Sequence, residues 1–323
     1  MREIPVTDIG GILIGQYENA EAATGCTVFI SKAGMAAGLD VRGGGPASRE
    51  SELLKPLAQA ERIHAVVIGG GSAFGLGASD GVMQRLAEAD IGYDVGICRV
   101  PLVCQSDIFD LAVGSSGVFP DRDYGFRAAD IALAGGNYRD GNYGAGCGAT
   151  VGKWKGMDSC MKAGIGSYAV QIGDLQVGAV AAVNSLGDIY DRKNGRKTAG
   201  LLNAQHTAFL DTAAQMAVST NAVDNKFTGN TTIGIIITNA SFTKTKLCKI
   251  AGMAHDGFAR AVRPVHTSAD GDSIYAVSVG DISADTDLVG TLAADVMSEA
   301  ILNAVRHADS AYGHPAAKDL KFV

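Results

Sequence analysis

Two adjacent threonines at a loop-to-strand junction are the residues whose types and spacing point first to chemistry. Segment 228–238 reads TGNTTIGIIIT: a polar stretch ends at Asn230, Thr231 and Thr232 follow, and the most β-branched run of the chain begins. A threonine hydroxyl can attack the carbonyl of its own preceding peptide bond, moving the acyl group from nitrogen to oxygen, after which water cleaves the ester. The product is a free α-amine, with a reference pKa of about 8, beside the hydroxyl it can deprotonate. A loose segment before the bond lets the new terminus open to substrate, and a rigid strand after it holds the nucleophile still. The same letters also fit an ordinary strand start, since Asn and Gly favour turns. Thr232 is the neighbouring alternative to Thr231.

Other chemical signatures fail on spacing. HAVVIGGGSAFG follows a strand pattern, but Phe74 stands where G-x-G-x-x-G needs its last glycine. GATVGK, residues 148–153, is one residue short of a phosphate loop, and Trp154 stands where Ser or Thr belongs. There is no HExxH or other metal-ligand spacing and no G-x-S-x-G elbow. His255 lies in a helical pattern and His266 near a turn, and both read as capping or packing histidines.

The elements needed to position these residues can be traced in outline. Strand patterns occur at 11–15, 26–30, 64–71, 99–104, 177–183 (closing on Asn184), 233–237 and 273–279. Helical spacing predicts helices at 50–62, 72–89, 245–262 and 292–305. Residues 41–50 and 137–152 are glycine-rich loops, and 192–229 is polar and weakly patterned, as an exposed linker would be. Uneven alternation of strands and helices suits a layered α/β sandwich.

Composition bounds the function. The chain has 323 residues, 47% hydrophobic and 19% charged, which excludes disorder. Its 43 glycines are aperiodic, so they mark tight turns and close backbone approaches. The net charge is −7 and there is no Lys/Arg run to follow a phosphate backbone, which argues against nucleic acid as a partner. No uninterrupted apolar run approaches the roughly 20 residues that span a bilayer, and no signal-peptide pattern opens the chain. Six cysteines without CxxC pairing read as free thiols in a reducing compartment. The expectation is a cytoplasmic protein that uses no metal and no organic cofactor and does not bind a membrane.

Seven segments occur in order: VRGGGPASRE, GGGSAFGLGASDGVM, GATVGK, KAGIGS, AAVNSLGD, TGNTTIGIIITNA and RPVHTSADGDSIYAV. Together they resemble the self-processing peptidase family S58 of D-aminopeptidase/esterases, β-aminopeptidases and nylon-oligomer hydrolases, over residues 10–305. The resemblance implies a four-layer αββα sandwich, laid out like the N-terminal-nucleophile hydrolases but differently connected. It implies one domain, 1–323, that splits into a large subunit, 1–230, and a small subunit, 231–323, assembled as a tetramer of cleaved pairs.

By the same resemblance Thr231 matches the nucleophile and Asn230 the residue before the cut. Asp270 and Asp272 match the acidic pair of the nylon-oligomer branch, where they orient the nucleophile or hold a substrate ammonium. Asn184 matches the oxyanion-hole asparagine, and Lys153 a lysine near the nucleophile. Phe109 is a departure: relatives often carry Tyr in that segment, so a hydroxyl that would help position substrate is missing. The implied activity is hydrolysis of small amine-bearing amides or peptides, with 6-aminohexanoate oligomers among the candidate substrates. The alternative is an acyltransferase of the ornithine acetyltransferase type using the same nucleophile.

Overall fold

The computed structural model describes residues 1–218 and 229–322. Ten strands form its main sheet: β1 (Arg2–Ile4), β2 (Leu13–Asn19), β3 (Thr24–Val41), β4 (Ala47–Arg49), β5 (Ile63–Gly69), β6 (Val103–Asp107), β7 (Ile165–Ile172), β8 (Leu175–Asn184), β9 (Thr231–Ala240) and β10 (Ser273–Ile282). The order is β1-β7-β8-β9-β10-β3-β5-β6-β4, with β2 also paired to β3. Four longer helices cover it: α1 (Ala78–Glu88), α2 (Arg122–Leu133), α3 (Lys244–Ala261) and α4 (Thr286–Arg306).

Strand β3 divides the sheet into two leaves. Its first half pairs with β2 and β5, its second half, from Ala36, with β10, and the register with β5 shifts between Ile30 and Met35. The leaves then stack, and Tyr275 of β10 meets Ser106 of β6 hydroxyl to hydroxyl at 2.7 Å.

Side chains alternate between the faces of each strand. Ala65 and Val67 of β5 join Val28, Val82, Leu86, Ala128 and Ala132 beneath α1 and α2. Val66, Ile68 and Phe29 face the other way, into the larger core. On the second leaf α3 and α4 close the stack; Gly234 of β9 lies under Met297 of α4. The result is the expected αββα sandwich.

Helices α1 and α2 cross at glycines. A Cβ on Gly81 would lie 1.8 Å from the Arg122 carbonyl oxygen, and one on Gly125 1.8 Å from that of Ala78. Backbone meets backbone, so no flexible side chain can yield. Alanine is the better helix former by about 1 kcal/mol, but overpacking at such a crossing costs up to about 3 kcal/mol. Gly125→Ala is therefore expected to lower stability, read as a lower urea midpoint.

Several elements differ from the sequence expectation. Residues 50–62 form only a short 3-10 turn, Ser51–Leu54. Glu50 is left-handed there, Pro56 cannot continue a helix, and Leu57 is fully exposed. The carbonyls of Leu53, Lys55 and Ala58 are taken instead by the Lys244 ammonium, at 3.1, 3.2 and 2.8 Å.

The expected 72–89 helix begins as a 3-10 turn, Ser72–Gly77. The 99–104 strand is split: Arg99–Val100 pairs with Tyr93–Asp94 in a small hairpin, and β6 begins only at Val103. Helix α2 escapes the pattern because its buried residues are Gly125, Ala128, Ala129 and Ala132, too small to register as an apolar stripe. β7, also without a sequence expectation, pairs with β1 and β8.

The region expected as a linker carries a strand, Lys197–Ala199, and a helix, Thr212–Ala217; its residues 219–228 lie outside the described ones. Helix α4 is longer than the 292–305 expectation because Asp285 caps it at the Asp287 and Leu288 amides. At 21 residues and mean hydropathy 1.4 it is long and apolar enough to cross a membrane, but 78% of that window is buried within the fold.

Candidate active site

Sheet topology gathers the candidate residues at one edge. β9 runs parallel to β10 and antiparallel to β8. The starts of β9 and β10 and the end of β8 therefore meet. Thr231 is paired with Asn184 across the β8–β9 ladder, and Asp272 immediately precedes β10. Asn230 and Asp270 form an isolated parallel bridge just beyond the strands.

Around Thr231 the backbone is close-packed. Its hydroxyl lies 2.5 Å from the Asn230 carbonyl oxygen. That oxygen also accepts the Gly271 N–H at 3.0 Å. A Cβ on Gly271 would stand 2.7 Å from the Thr231 hydroxyl and 2.9 Å from the Gly45 carbonyl, so only glycine fits between Thr231 and the loop. Thr232 faces the other side of the strand; its hydroxyl is buried without a partner, while its N–H donates to Asp272 Oδ1 at 2.7 Å.

The two aspartates are held differently. Asp270 Oδ2 accepts the Thr267 N–H at 2.7 Å and its hydroxyl at 2.6 Å. Asp272 Oδ2 accepts the His266 N–H at 3.2 Å and faces His266 Nδ1 at 2.8 Å.

On the opposite side Lys153, fully enclosed, donates to Asn184 O at 3.0 Å, Asn184 Oδ1 at 2.7 Å and Gly229 O at 2.9 Å. Those donors fix the Asn184 amide with its oxygen toward the lysine. Its Nδ2 then donates to Phe109 O at 2.9 Å and Gly229 O at 3.2 Å. Phe109 thus enters the site through its main chain.

Burial tunes the ionisable groups toward neutrality. Asp270 is raised to about 6, first by burial and then by the nearby Asp272 charge, against the Thr267 hydrogen bonds and Lys153. Lys153 is lowered to about 7 by burial, with Cys160, Asp270 and Asp110 pulling the other way. A buried acid and a buried amine are thus both poised where proton transfer near pH 7 is efficient.

All seven sequence-predicted residues come together here. His255, expected to be a packing or capping residue, is buried against Phe258 with its Nε2 3.1 Å from Asp40 O; His266 contacts Asp272, and His255 Nδ1 lies 3.2 Å from His266 Nε2. Gly271 was also overlooked. The only sequence signal for it was its place within Asp-Gly-Asp.

All six cysteines are free. Among the described residues no group of three or more His, Cys, Asp or Glu is placed to hold a metal. A cavity of about 540 Å³, lined by Lys32, Arg62, Phe242 and Asp281 among others, lies at the far ends of β9 and β10, away from this chemistry.

The two-leaf sandwich is a variant of the N-terminal-nucleophile hydrolase fold. That fold is shared with the L-aminopeptidase D-Ala-esterase/amidase of Ochrobactrum anthropi, whose structure superposes with a TM-score of 0.70 at 18% identity over 94% of this chain and 86% of that one. The chain belongs to peptidase family S58, whose model matches residues 5–318. It is similar to an uncharacterised aminopeptidase of Mycobacterium tuberculosis, with 34% identity over 98% of this chain and 97% of the relative. It is also similar to the 6-aminohexanoate-oligomer endohydrolase of Agromyces sp., with 31% identity over 94% and 86%. It is a peptide or amide hydrolase.

Proposed function

We propose that the chain cuts itself between Asn230 and Thr231, and that Thr231 is then the nucleophile of a hydrolase for small amine-bearing amides or peptides. One observation carries this reading: the Thr231 hydroxyl and the Gly271 N–H converge on the same Asn230 carbonyl oxygen.

In the first reaction the hydroxyl oxygen attacks the Asn230 carbonyl carbon. Charge develops on the carbonyl oxygen, where the Gly271 N–H donates; such a donor is worth about 3 kcal/mol in a transition state. Thr231 has no amine yet, so the Asp270 carboxylate, bridged to Asn230 through the backbone, takes the hydroxyl proton and returns it to the leaving Thr231 nitrogen. Water then hydrolyses the ester, giving fragments 1–230 and 231–323.

In the mature enzyme the free Thr231 α-amine replaces Asp270 as base. Once the 229–230 segment withdraws, the Asn184 amide and Lys153 no longer hold Gly229 O and face the substrate carbonyl. Asp272 holds the Thr232 N–H and so the start of β9. The Agromyces relative acts on 6-aminohexanoate oligomers, and linear amides with a terminal amine are the substrate class proposed here.

N-terminal sequencing of the purified protein is expected to give a second terminus, Thr-Thr-Ile-Gly, beside the original one; a single terminus in active protein removes the proposal. Gly271→Ala is expected to slow splitting at least about 100-fold, because the added methyl displaces the Thr231 hydroxyl from its attack position, checked by a gel time course.

The rate of splitting also depends on pH with a definite sign. Asp270, raised to about 6, is protonated below that value. That acceptor is blocked in acid, so newly made chain is expected to split more slowly as pH falls from 8 to 5.5. A rate that rises in acid contradicts the assignment.

A further inference from the structure

Beyond the Thr231 reading, on which it rests, the hydrogen-bond directions around Asp272 point to one more working residue. We propose that His266 is a positioning residue: a doubly protonated imidazole, set between His255 and Asp272, that holds the Asp272 carboxylate against the start of β9.

The argument begins at an atom whose role is fixed. His255 Nε2 lies 3.1 Å from the Asp40 carbonyl oxygen, which can only accept, so Nε2 carries the hydrogen. His255 is completely buried in α3, and burial lowers its pKa to about 4, keeping the ring neutral. Its Nδ1 is then bare and accepts. The partner at 3.2 Å, His266 Nε2, must donate.

That leaves His266 Nδ1, 2.8 Å from Asp272 Oδ2. The carboxylate already accepts two backbone N–H groups, Thr232 on Oδ1 and His266 on Oδ2. A third donor, the His266 Nδ1–H, completes it. Donors from the β9 start, the 266 backbone and the His266 ring then fix both oxygens of Asp272.

Two further observations fit a ring held for a purpose. His266 adopts a left-handed backbone, φ 56°, which a non-glycine side chain disfavours. Its ring is clamped between His255, edge-on at 4.7 Å, and Phe258, stacked at 5.8 Å. Asp272 in turn holds the amide of Thr232, the residue bonded to the nucleophile, so the ring acts on Thr231 only through Asp272.

The test has two arms. Splitting of newly translated chain is timed for wild type, His266→Ala and His266→Asn, with a thermal melt of each. The alanine is expected to slow splitting about 10- to 100-fold, as loss of an orienting partner does. Asparagine tolerates the left-handed backbone and offers an amide donor to Asp272, so it restores much of the rate. Alanine splitting at the wild-type rate overturns the proposal, as does folded asparagine protein no faster than folded alanine protein.

The second arm is nitrogen-15 NMR of histidine-labelled Thr231→Ala chain, which stays uncut. A low-field proton on His266 Nδ1, with Nε2 also protonated, is expected; a bare Nδ1 overturns the proposal. This arm reads the His266–Asp272 contact even if wild type does not split, so failure of the Thr231 reading is distinguishable from failure of this one.

Discussion

Thr231→Ala yields a full-length chain that neither splits nor hydrolyses amides. The substitution removes the attacking oxygen, and Thr232, next in sequence, points to the opposite face of β9. A residual rate through solvent attack would run lower by several orders of magnitude, since removing a nucleophile from such a unit costs on the order of 10⁶ in turnover. The fold should survive. Alanine deletes only a hydroxyl and a methyl at a strand start, with an expected loss of about 1 to 2 kcal/mol. Thr231→Ser, which keeps the oxygen, is expected to split. Two bands from the alanine variant, or an active single band, would exclude Thr231 as the self-cleaving residue.

Lys153→Met is expected to have the second largest effect, and its interest lies in a separation of stability from chemistry. Methionine fills much of the same enclosed space but leaves Asn184 O, Asn184 Oδ1 and Gly229 O without the ammonium. A buried acceptor left with no donor costs about 1 to 3 kcal/mol, but Asn184 Oδ1 keeps the Thr150 N–H and Gly229 O keeps Asn184 Nδ2. Against this stands the penalty of holding an amine in a site that lowers its pKa to about 7, which the variant no longer carries.

These effects oppose one another, so the melting temperature should fall only moderately. The chemistry has no such offset. Without the ammonium on Gly229 O and Asn184 the bond before Thr231 is no longer held in its attack geometry, and a small misplacement costs about 10²-fold in rate. Splitting is expected to slow at least about 100-fold, measured by gel time course beside a thermal melt. A variant that splits normally would remove Lys153 from the machinery.

Helix α3 and helix α4 were legible because their apolar residues recur at three and four, and β9 because Ile233, Ile235, Ile236 and Ile237 crowd one short run. The family resemblance supplied the candidate site, with Asn184, Lys153 and the two aspartates attached to motifs. Helix α2 was not legible, since alanine and glycine at its buried positions carry almost no hydropathy signal. The 50–62 segment misled for the opposite reason: its leucines are spaced as in a helix, but Pro56 and the reach of Lys244 from α3 give its carbonyls other partners. His266 could not be assigned from composition or spacing, because its role depends on which atoms face its two ring nitrogens.

By itself the sequence determined which residues can react and which runs must be strands or buried helices, because both depend on side-chain type and local period. Only the tertiary structure decided that Gly271 donates to the Asn230 carbonyl, that Lys153 is fully enclosed, and that His266 stands between a buried imidazole and Asp272. Those facts arise from parallel and antiparallel strand pairing, which carries the ends of β8, β9 and β10 to one edge of the sheet. Hydrogen-bond direction and desolvation act between residues far apart in the chain, and no local pattern encodes them.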